Sequence, residues 1–377
     1  MKWNCYRIGD VFSRFSSGKN ITESRISDND SFPVYGGNGV RGFTDSYNFD
    51  GECILIGRQG AKCGNVRYFK GKAYMSDHAI VGVSKNEHCA RFLHVALSCL
   101  QLNRLSGQAA QPGLSVNMLK RQKILLPTLS IQEKISTILS AYDDLIENNN
   151  KRIKILEQMA ENLYKEWFIR FRFPGHEQAE FENGIPKGWE TKRLGDELEV
   201  KRGGSPRPIH EYISDTGLKW LKISDATQSD NPYIVNIEES IIEEGLKKTV
   251  YLKAGSLVLS NSATPGLPRI LTIDSCIHDG WLYFPKKKLS NEYLYLLFNH
   301  IRPHLLSKGN GAIFTNLKTD ILKRYLFTKP TDIVLSLFND LVKPIFGQIY
   351  SLTMKNQNLT KQRDMLLPRL MSGKLEV

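Results

Sequence analysis

Three short constellations in this chain carry residue types suited to chemistry. Gly37-Asn38-Gly39-Val40-Arg41-Gly42 fits G-x-G-x-x-G, which cradles a pyrophosphate when a strand precedes it and a helix opens behind it. Phe43-Thr44-Asp45-Ser46-Tyr47-Asn48 follows instead, which is turn and strand material. The run therefore reads as a tight turn, or as a glycine loop that lets backbone approach a phosphate or another backbone. Asp230-Asn231-Pro232-Tyr233 is one proline short of the N-P-P-Y run used in base amino-methylation, and no S-adenosylmethionine loop lies upstream. It reads as an Asn-Pro turn. Asp196, Glu199 and Lys201 hint at a nuclease's acid-x-Lys arrangement, but no separate acid on another strand accompanies them. The sequence offers no catalytic centre and no cysteine pair at zinc spacing.

A different set of side chains stands beside glycines and turns. In the first part of the chain these are Lys19, Arg41, Arg58, Gln59, Lys62 and Gln108; in the second part they are Lys201, Arg202, Lys222, Asn261 and Arg269. Arg reads guanine edges, Asn and Gln read adenine, and Lys mostly holds phosphate. Each alone also fits a solvated surface; as a set on two loop-rich modules they point to nucleic acid. The charge supports this. Of the formal +12, residues 1–127 hold 17 basic and 9 acidic side chains (+8), and residues 185–330 hold 21 and 16 (+5). A basic surface attracts a polyanion by counterion release.

The elements that must position these residues are written twice. Leu114-x4-Leu119-Lys120-Arg121-x5-Pro127 returns as Leu317-x4-Leu322-Lys323-Arg324-x5-Pro330, at an offset of 203. Trp3, Arg7, Ile8, Gly9 and Asp10 return as Trp189, Arg193, Leu194, Gly195 and Asp196, at an offset of 186, so the second copy carries 17 extra residues. A period near 200 is a duplicated domain. In the first copy, strands are expected at 32–35, 53–56 and 66–69 and a helix at 90–102; in the second, strands at 218–223, 255–259 and 270–273 and a helix at 292–306.

After each proline the pattern turns helical. Ile131, Ile135, Ile138, Tyr142, Leu145, Asn149, Leu156, Leu163 and Trp167 step by three and four, a coiled-coil seam capped by Ser130 with Glu133 in capping-box position. Such a helix is roughly 55 Å long. Asn149 on the seam weakens packing but fixes register. Trp167-Phe168-Ile169-Arg170-Phe171-Arg172-Phe173 is too aromatic for a linker and is expected to pack back on the helices; the linker is placed at 175–188. The last segment predicts a short helix at 333–343, with Pro344 starting or kinking a longer one whose seam holds Ile345, Ile349, Leu352, Asn356, Leu359, Arg363, Leu366 and Leu370. Two narrow seams are satisfied by antiparallel pairing. No run of 18 apolar residues exists, so no membrane span is expected, and the cysteines fit a reduced, cytoplasmic protein.

The chain resembles the specificity subunits of type I restriction-modification systems over nearly its whole length. The similarity lies in Leu126-Pro127-x-Leu129-x2-Gln132, in Leu156-Glu157-x5-Leu163-x3-Trp167-Phe168 and in Arg363-Asp364-x-Leu366-Leu367-Pro368-x-Leu370-x-Ser372-Gly373. Gly203-Gly204-Ser205-Pro206 and the 258–266 run are similar to recognition-domain segments, with Pro265 intervening where the family often has Gly directly after Ala-Thr. The resemblance implies an α+β fold. Two mostly-β target-recognition domains (1–127 and 189–330) are separated by two long antiparallel coiled-coil helical regions (128–174 and 331–377), with pseudo-two-fold character. It implies a non-catalytic chain that binds a bipartite duplex DNA target, with the helices as a ruler between half-sites roughly 34–36 Å apart. Docking of two methylation subunits and of restriction subunits is expected at Trp167, Phe168, Phe171, Leu366 and Leu370. S-adenosylmethionine, ATP and magnesium belong to those partners, with no cofactor or metal in this chain. The alternatives are a lone DNA methyltransferase or nuclease, and a coiled-coil scaffold whose basic globules are incidental.

Overall fold

The computed structural model describes residues 3–60, 62–106, 113–228, 230–307 and 316–377. The chain divides into two compact units, Met1–Asp144 with Thr360–Val377 and Leu145–Leu359. The first unit holds β1 (Trp3–Arg7), β2 (Phe12–Ser17), β3 (Phe32–Gly36), β4 (Gly39–Thr44), β5 (Phe49–Gly57), β6 (Val66–Met75), β7 (Ala79–Ser84), α1 (Ala90–Cys99), α2 (Val116–Arg121), β8 (Lys123–Pro127) and the start of α3 (Leu129–Tyr164). Its main sheet has the order β2-β7-β5-β6-β3-β4, with β3 parallel to β6 and the rest antiparallel. Gly51 lies opposite Gly71 in the long β5–β6 pair. Both have positive φ, 136° and 132°, which a side chain would resist.

The second unit completes α3 and adds β9 (Phe181–Glu182), β10 (Ile185–Pro186), β11 (Glu190–Arg193), α4 (Leu194–Glu197), β12 (Lys201–Arg202), β13 (Ile213–Ser214), β14 (Leu218–Leu221), α5 (Ile223–Thr227), β15 (Tyr233–Ile234), β16 (Ser240–Ile241), β17 (Val250–Leu252), β18 (Leu257–Ser260), β19 (Pro268–Leu271), β20 (Ser275–Ile277), β21 (Trp281–Tyr283), α6 (Asn291–Ser307), α7 (Thr319–Lys323), β22 (Leu326–Lys329) and most of α8 (Asp332–Met371). One sheet runs β12-β21-β18-β19-β15 and the other β13-β16-β14-β20-β17.

The two sequence echoes meet in space within each globule. β1 pairs with β8, and β11 with β22. The turn after each first strand is held by the segment before the last strand: Ile8 N–H donates to Gln122 O at 2.8 Å, and Leu194 N–H to Tyr325 O at 2.9 Å. A Cβ on Gly9 would stand 3.0 Å from Lys120 Cβ, and one on Gly195 would stand 3.2 Å from Lys323 Cβ. That close approach accounts for the repeated glycine and for the Leu-Lys-Arg facing it, whose Leu119 and Leu322 are wholly buried.

The register also locates the extra residues. Tyr35 opposite Met75 in the first globule corresponds to Leu221 opposite Ile277 in the second, still at an offset of 186 on the first strand. Gly57 opposite Ala79 corresponds to Ser260 opposite Trp281, already at 203 on the first-named strand. The additional chain therefore enters between β14 and β18, where α5, β15, β16 and β17 stand. This insert is bonded to α8. Asn231 Nδ2 donates to Thr353 Oγ1 at 2.7 Å, Tyr233 Oη–H to Phe346 O at 3.2 Å and Gln357 Nε2 to Val235 O at 2.9 Å.

Within each unit the two helices run antiparallel. In the second, Ile153 packs with Ile349 and Leu352, and Asn149 Nδ2 donates to Asn356 Oδ1 at 2.8 Å, whose Nδ2 donates to Asn150 Oδ1 at 2.9 Å. The seam asparagine thus has its polar groups paired. In the first, Arg363 Nη1 lies 2.6 Å from Asp143 Oδ1, and Ile135 and Leu139 pack in one core with Leu370.

Three local expectations are corrected. The α3 cap is Thr128 rather than Ser130, since Ile131 and Gln132 N–H both donate to Thr128 O at 3.0 Å. Gln132 serves as a latch: its Oε1 accepts from Cys89 N–H at 3.0 Å and its Nε2 donates to Pro127 O at 2.9 Å. Pro344 does not start a separate helix, because α8 continues through it. The proline sits on the exposed face, so its missing N–H leaves a carbonyl on the solvent side rather than in the core, while Val342 and Phe346 anchor the buried face on either side. The 175–188 segment is no free linker; it forms the β9–β10 hairpin, and Ala179 and Ile185 pack against the core. Among the described residues no helix is long and apolar enough to cross a membrane.

Candidate nucleic-acid interface

In the first globule three turns touch. Gly37, in the β3–β4 turn, leaves no room for a Cβ, which would meet Gln59 O at 2.9 Å and His78 O at 3.2 Å. Arg58 N–H donates to His78 O at 2.9 Å, and Ser76 N–H to Tyr35 O at 2.9 Å. Lys19 bridges to Ser76, and the stem of Arg41 lies over Gly36, its Cδ 2.5 Å from where a Cβ would be. Gln59 Oε1 lies 2.9 Å from His78 Nδ1. A Cβ on Gly57 would meet Lys62 O at 2.8 Å. The structure thus brings Lys19, Arg41, Arg58, Gln59 and Lys62 into one loop cluster; Gln108 lies outside the described residues. His78 and Arg67, whose Nη2 donates to Asn38 O at 3.2 Å, join the cluster without having been singled out in the sequence. The glycine run that fits G-x-G-x-x-G is the β3–β4 hairpin turn, with no helix behind it.

The second globule repeats this backbone arrangement. Gly18 N–H donates to Ala79 O at 3.0 Å, and Gly203 N–H to Trp281 O at 2.8 Å. A Cβ would meet Met75 O at 2.2 Å on Gly18 and His278 O at 2.3 Å on Gly203. Arg58 accepts Leu114 N–H at 2.9 Å, and Asn261 accepts Leu317 N–H at 2.6 Å. Arg58 Nη1 donates to Asp77 O at 3.4 Å, and Asn261 Nδ2 to Asp279 O at 3.1 Å. Arg58 and Asn261 are therefore the same position, 203 residues apart, held by the same acidic turn. Their side chains suit guanine and adenine respectively.

Around Asp279 the second cluster is denser in charge. Arg202 Nη2 and Arg207 Nη2 lie 3.5 Å and 3.6 Å from Asp279 Oδ2, and Ser205 Oγ–H donates to Asp279 Oδ1 at 2.7 Å. The Ser205 hydroxyl, helped by the Arg202 charge, holds the Asp279 carboxyl below its usual range against partial burial. Burial keeps His278 below the usual imidazole value, with Asp279 opposing. Lys201 pairs with Glu199 at 3.0 Å, and Lys222 is bonded to Glu239; each carboxylate raises its lysine's pKa through that bond. The 260–266 turn accommodates Pro265. Ala263 takes φ 57° and Gly266 φ 76°, and Pro265 O accepts from Arg302 Nε at 3.1 Å.

One proposed base reader does not stand at this surface. Arg269 is 5% exposed, and its Nε and Nη1 donate to Ala226 O at 3.0 Å and Pro268 O at 3.1 Å. It faces a cavity of about 440 Å³ lined also by Glu157, Asp230 and Tyr295. Burial raises Glu157 there to about 7, partly offset by Arg269. Its register equivalent, Arg67, is exposed.

The residues assigned to partner docking are mostly interior. Trp167 and Phe168 are each 5% exposed and Leu370 is fully buried. Phe168 meets Phe338 edge-on at 4.7 Å and Tyr293 at 5.1 Å between centroids, an aromatic core that holds α3 on α6 and α8. These three cannot offer their faces to another chain without dismantling a core; Phe171 and Leu366 keep partial exposure.

The motifs that looked catalytic have structural duties. Asp196 Oδ2 accepts from Arg193 N–H at 3.2 Å at the start of α4, Glu199 pairs with Lys201, and Asn231 Oδ1 accepts from Tyr233 N–H at 2.9 Å in an Asx turn. His300 and His304, one turn apart on α6, are a pair that the sequence reading missed; their ring centroids lie 6.4 Å apart. Among the described residues no group of three or more His, Cys, Asp or Glu is placed to hold a metal.

This arrangement has known counterparts. The type I restriction modification DNA specificity domain family matches residues 1–158 and 186–331. The MjaIX specificity subunit of Methanocaldococcus jannaschii is 31% identical over 296 residues, covering 73% of this chain and 66% of its own length. The EcoprrI specificity subunit of Escherichia coli is 37% identical over 147 residues, 39% of this chain and 36% of its own. The chain thus spans two thirds or less of either relative. The crystal structure of a type I restriction-modification S subunit from M. genitalium has the same fold, with a TM-score of 0.66 over 98% of this chain and 96% of that one at 15% identity.

Proposed function

This chain belongs to the type I restriction modification DNA specificity domain family, and from that premise we propose that it is the sequence-reading subunit of a type I restriction-modification assembly. Each globule reads one half of a split, asymmetric duplex target through its loop cluster, and the chain itself transfers no methyl group and cuts no strand. The observation that carries this reading is the doubled cluster, in which identical backbone bonds present Arg58 in one globule and Asn261 in the other. One frame with different side chains is what two unlike half-sites require. Lysines and arginines around it supply the salt-dependent phosphate attraction that positions a reader without specifying sequence.

In the same reading α3 and α8 set the number of unread base pairs between the halves. Methylation subunits in two copies, carrying the S-adenosylmethionine site, and restriction subunits with ATP and magnesium complete the assembly in the cytoplasm. Methylation is measured with the chain alone, with the methylation subunit alone and with both. The expected result is activity only with both, at a bipartite motif. Methyl transfer by the chain alone sinks the reading. Inserting four residues beside Asn149 is expected to lengthen the unread gap and leave both half-sequences unchanged.

A further inference from the structure

The acidic turn that follows β6 in the first globule and β20 in the second is itself duplicated: Asp77 and Asp279 are register equivalents, and each carboxylate side chain is 39% exposed. An acid standing in a basic, DNA-seeking surface repels phosphate, so its presence in both copies asks for a reason. In both, its backbone carbonyl accepts from the side chain at the equivalent reading position, Arg58 or Asn261. In the second globule its carboxylate does more. Arg202, the last residue of β12, and Arg207, in the segment after it, approach Oδ2 at 3.5 Å and 3.6 Å, and Ser205 between them fixes Oδ1 at 2.7 Å. Arg202 Nε also donates to the Asp279 carbonyl. The strand is pressed against this turn because Gly203 has no Cβ to collide with His278 O. A guanidinium is long and mobile; held on one side by a carboxylate it keeps its remaining donors in a fixed plane, which bidentate pairing with guanine O6 and N7 needs. In the first globule the strand register matches Arg202 with Ser17, and neither Ile21 nor Thr22, where Arg207 would fall, is an arginine, so that fork is built only once.

We propose that Asp279 is the positioning residue for half-site selectivity in the second globule, orienting Arg202 and Arg207 as paired guanine readers and Asn261 beside them. This rests on the DNA-reading function above. It makes a signed prediction that a merely structural role does not: removing the carboxylate raises affinity for any duplex, because one repulsive charge is lost, and lowers discrimination at one half-site only.

The test uses the full chain assembled with its methylation subunit and a randomised duplex library, with the selected sequences read out for wild type, Asp279→Asn and Asp77→Asn. Wild type is expected to select a two-part motif. Asp279→Asn is expected to keep the first part, lose about tenfold discrimination at guanine positions of the second, and bind unselected duplex more tightly. Asp77→Asn is the control: its carboxylate holds no arginine fork and its backbone carbonyl is kept, so it should relax neither part. Arg202→Lys with Arg207→Lys keeps the charge and the turn but loses the planar fork, and should relax the same positions as Asp279→Asn; this variant carries the test if the aspartate change misfolds. An unchanged motif, or equal relaxation of both parts, overturns the proposal while leaving the DNA-reading function standing. A wild-type assembly that selects no sequence overturns both.

Discussion

The two globules share a frame and differ in what is fastened to it. In each, the first strand closes on the last, a glycine lies on the facing Leu-Lys-Arg segment, and an acidic turn touches the proposed reader, Arg58 or Asn261. The first globule builds its sheet around a long β5–β6 pair and a β3–β4 hairpin. The second breaks the matching strand into β19 and β20 and places an insert between β14 and β18 that bonds to α8. What is constant is backbone geometry; what varies is the side chains at the loop tips and the accessories that hold the globule. Duplication followed by divergence at loops on a fixed scaffold is how one fold acquires two specificities.

The strongest way to break that comparison is to deny both globules their shared close approach. Gly18→Ala and Gly203→Ala place a Cβ 2.2 Å from Met75 O and 2.3 Å from His278 O. Each is expected to cost about 3 kcal/mol in urea unfolding of its own unit, with matching losses if the frames are equivalent. Next is the exchange of readers. Arg58→Asn and Asn261→Arg should move base preference by about 1–3 kcal/mol, the first in one half-site and the second in the other, as measured by competition binding with single-base variants. A smaller effect sharpens the difference between the globules. Asn231→Ala removes the insert's bond to Thr353 and should cost the second unit about 1 kcal/mol in denaturant unfolding, leaving the first unit unchanged.

The smallest prediction concerns pH. Burial raises Glu157 to about 7, with Arg269 and Lys154 opposing and Glu161 and Asp230 adding to the shift. The folded state therefore keeps a proton that the unfolded chain releases near its ordinary value. Stability of the second unit falls as pH rises from the ordinary carboxyl range to about 7 and stays low above it. Glu157→Gln should flatten that slope and raise the melting temperature at pH 8 more than at pH 5.

The repeat was legible in the sequence because it records close packing: Gly9 and Gly195 lie so near Lys120 and Lys323 that an added Cβ would require the neighbour to give way. The helices were legible because a seam needs apolar residues at fixed intervals, and Asn149 announced its partner by standing on it. The loop cluster was partly legible, since Lys19, Arg41, Arg58, Gln59 and Lys62 all lie beside tight turns. What failed were questions of facing. Arg269 and Arg67 occupy matching strand positions, yet one is interior and one exposed, and charge in a sequence does not say what covers that face of the sheet. The family resemblance assigned Trp167 and Phe168 to a docking surface, whereas their aromatic content alone predicted packing back on the helices, where Phe338 and Tyr293 meet them. Asp279 was missed because a single aspartate in a turn has no periodicity or spacing to betray that three residues far back in the chain converge on it.

The most direct measurement of the central claim is the target motif of an assembly in which residues 1–127 are exchanged for another recognition domain of the same family. A new first half-sequence, with the second half-sequence retained, is the predicted result. A motif changed in both halves, or in neither, contradicts the account that each globule reads its own half through its own copy of the frame.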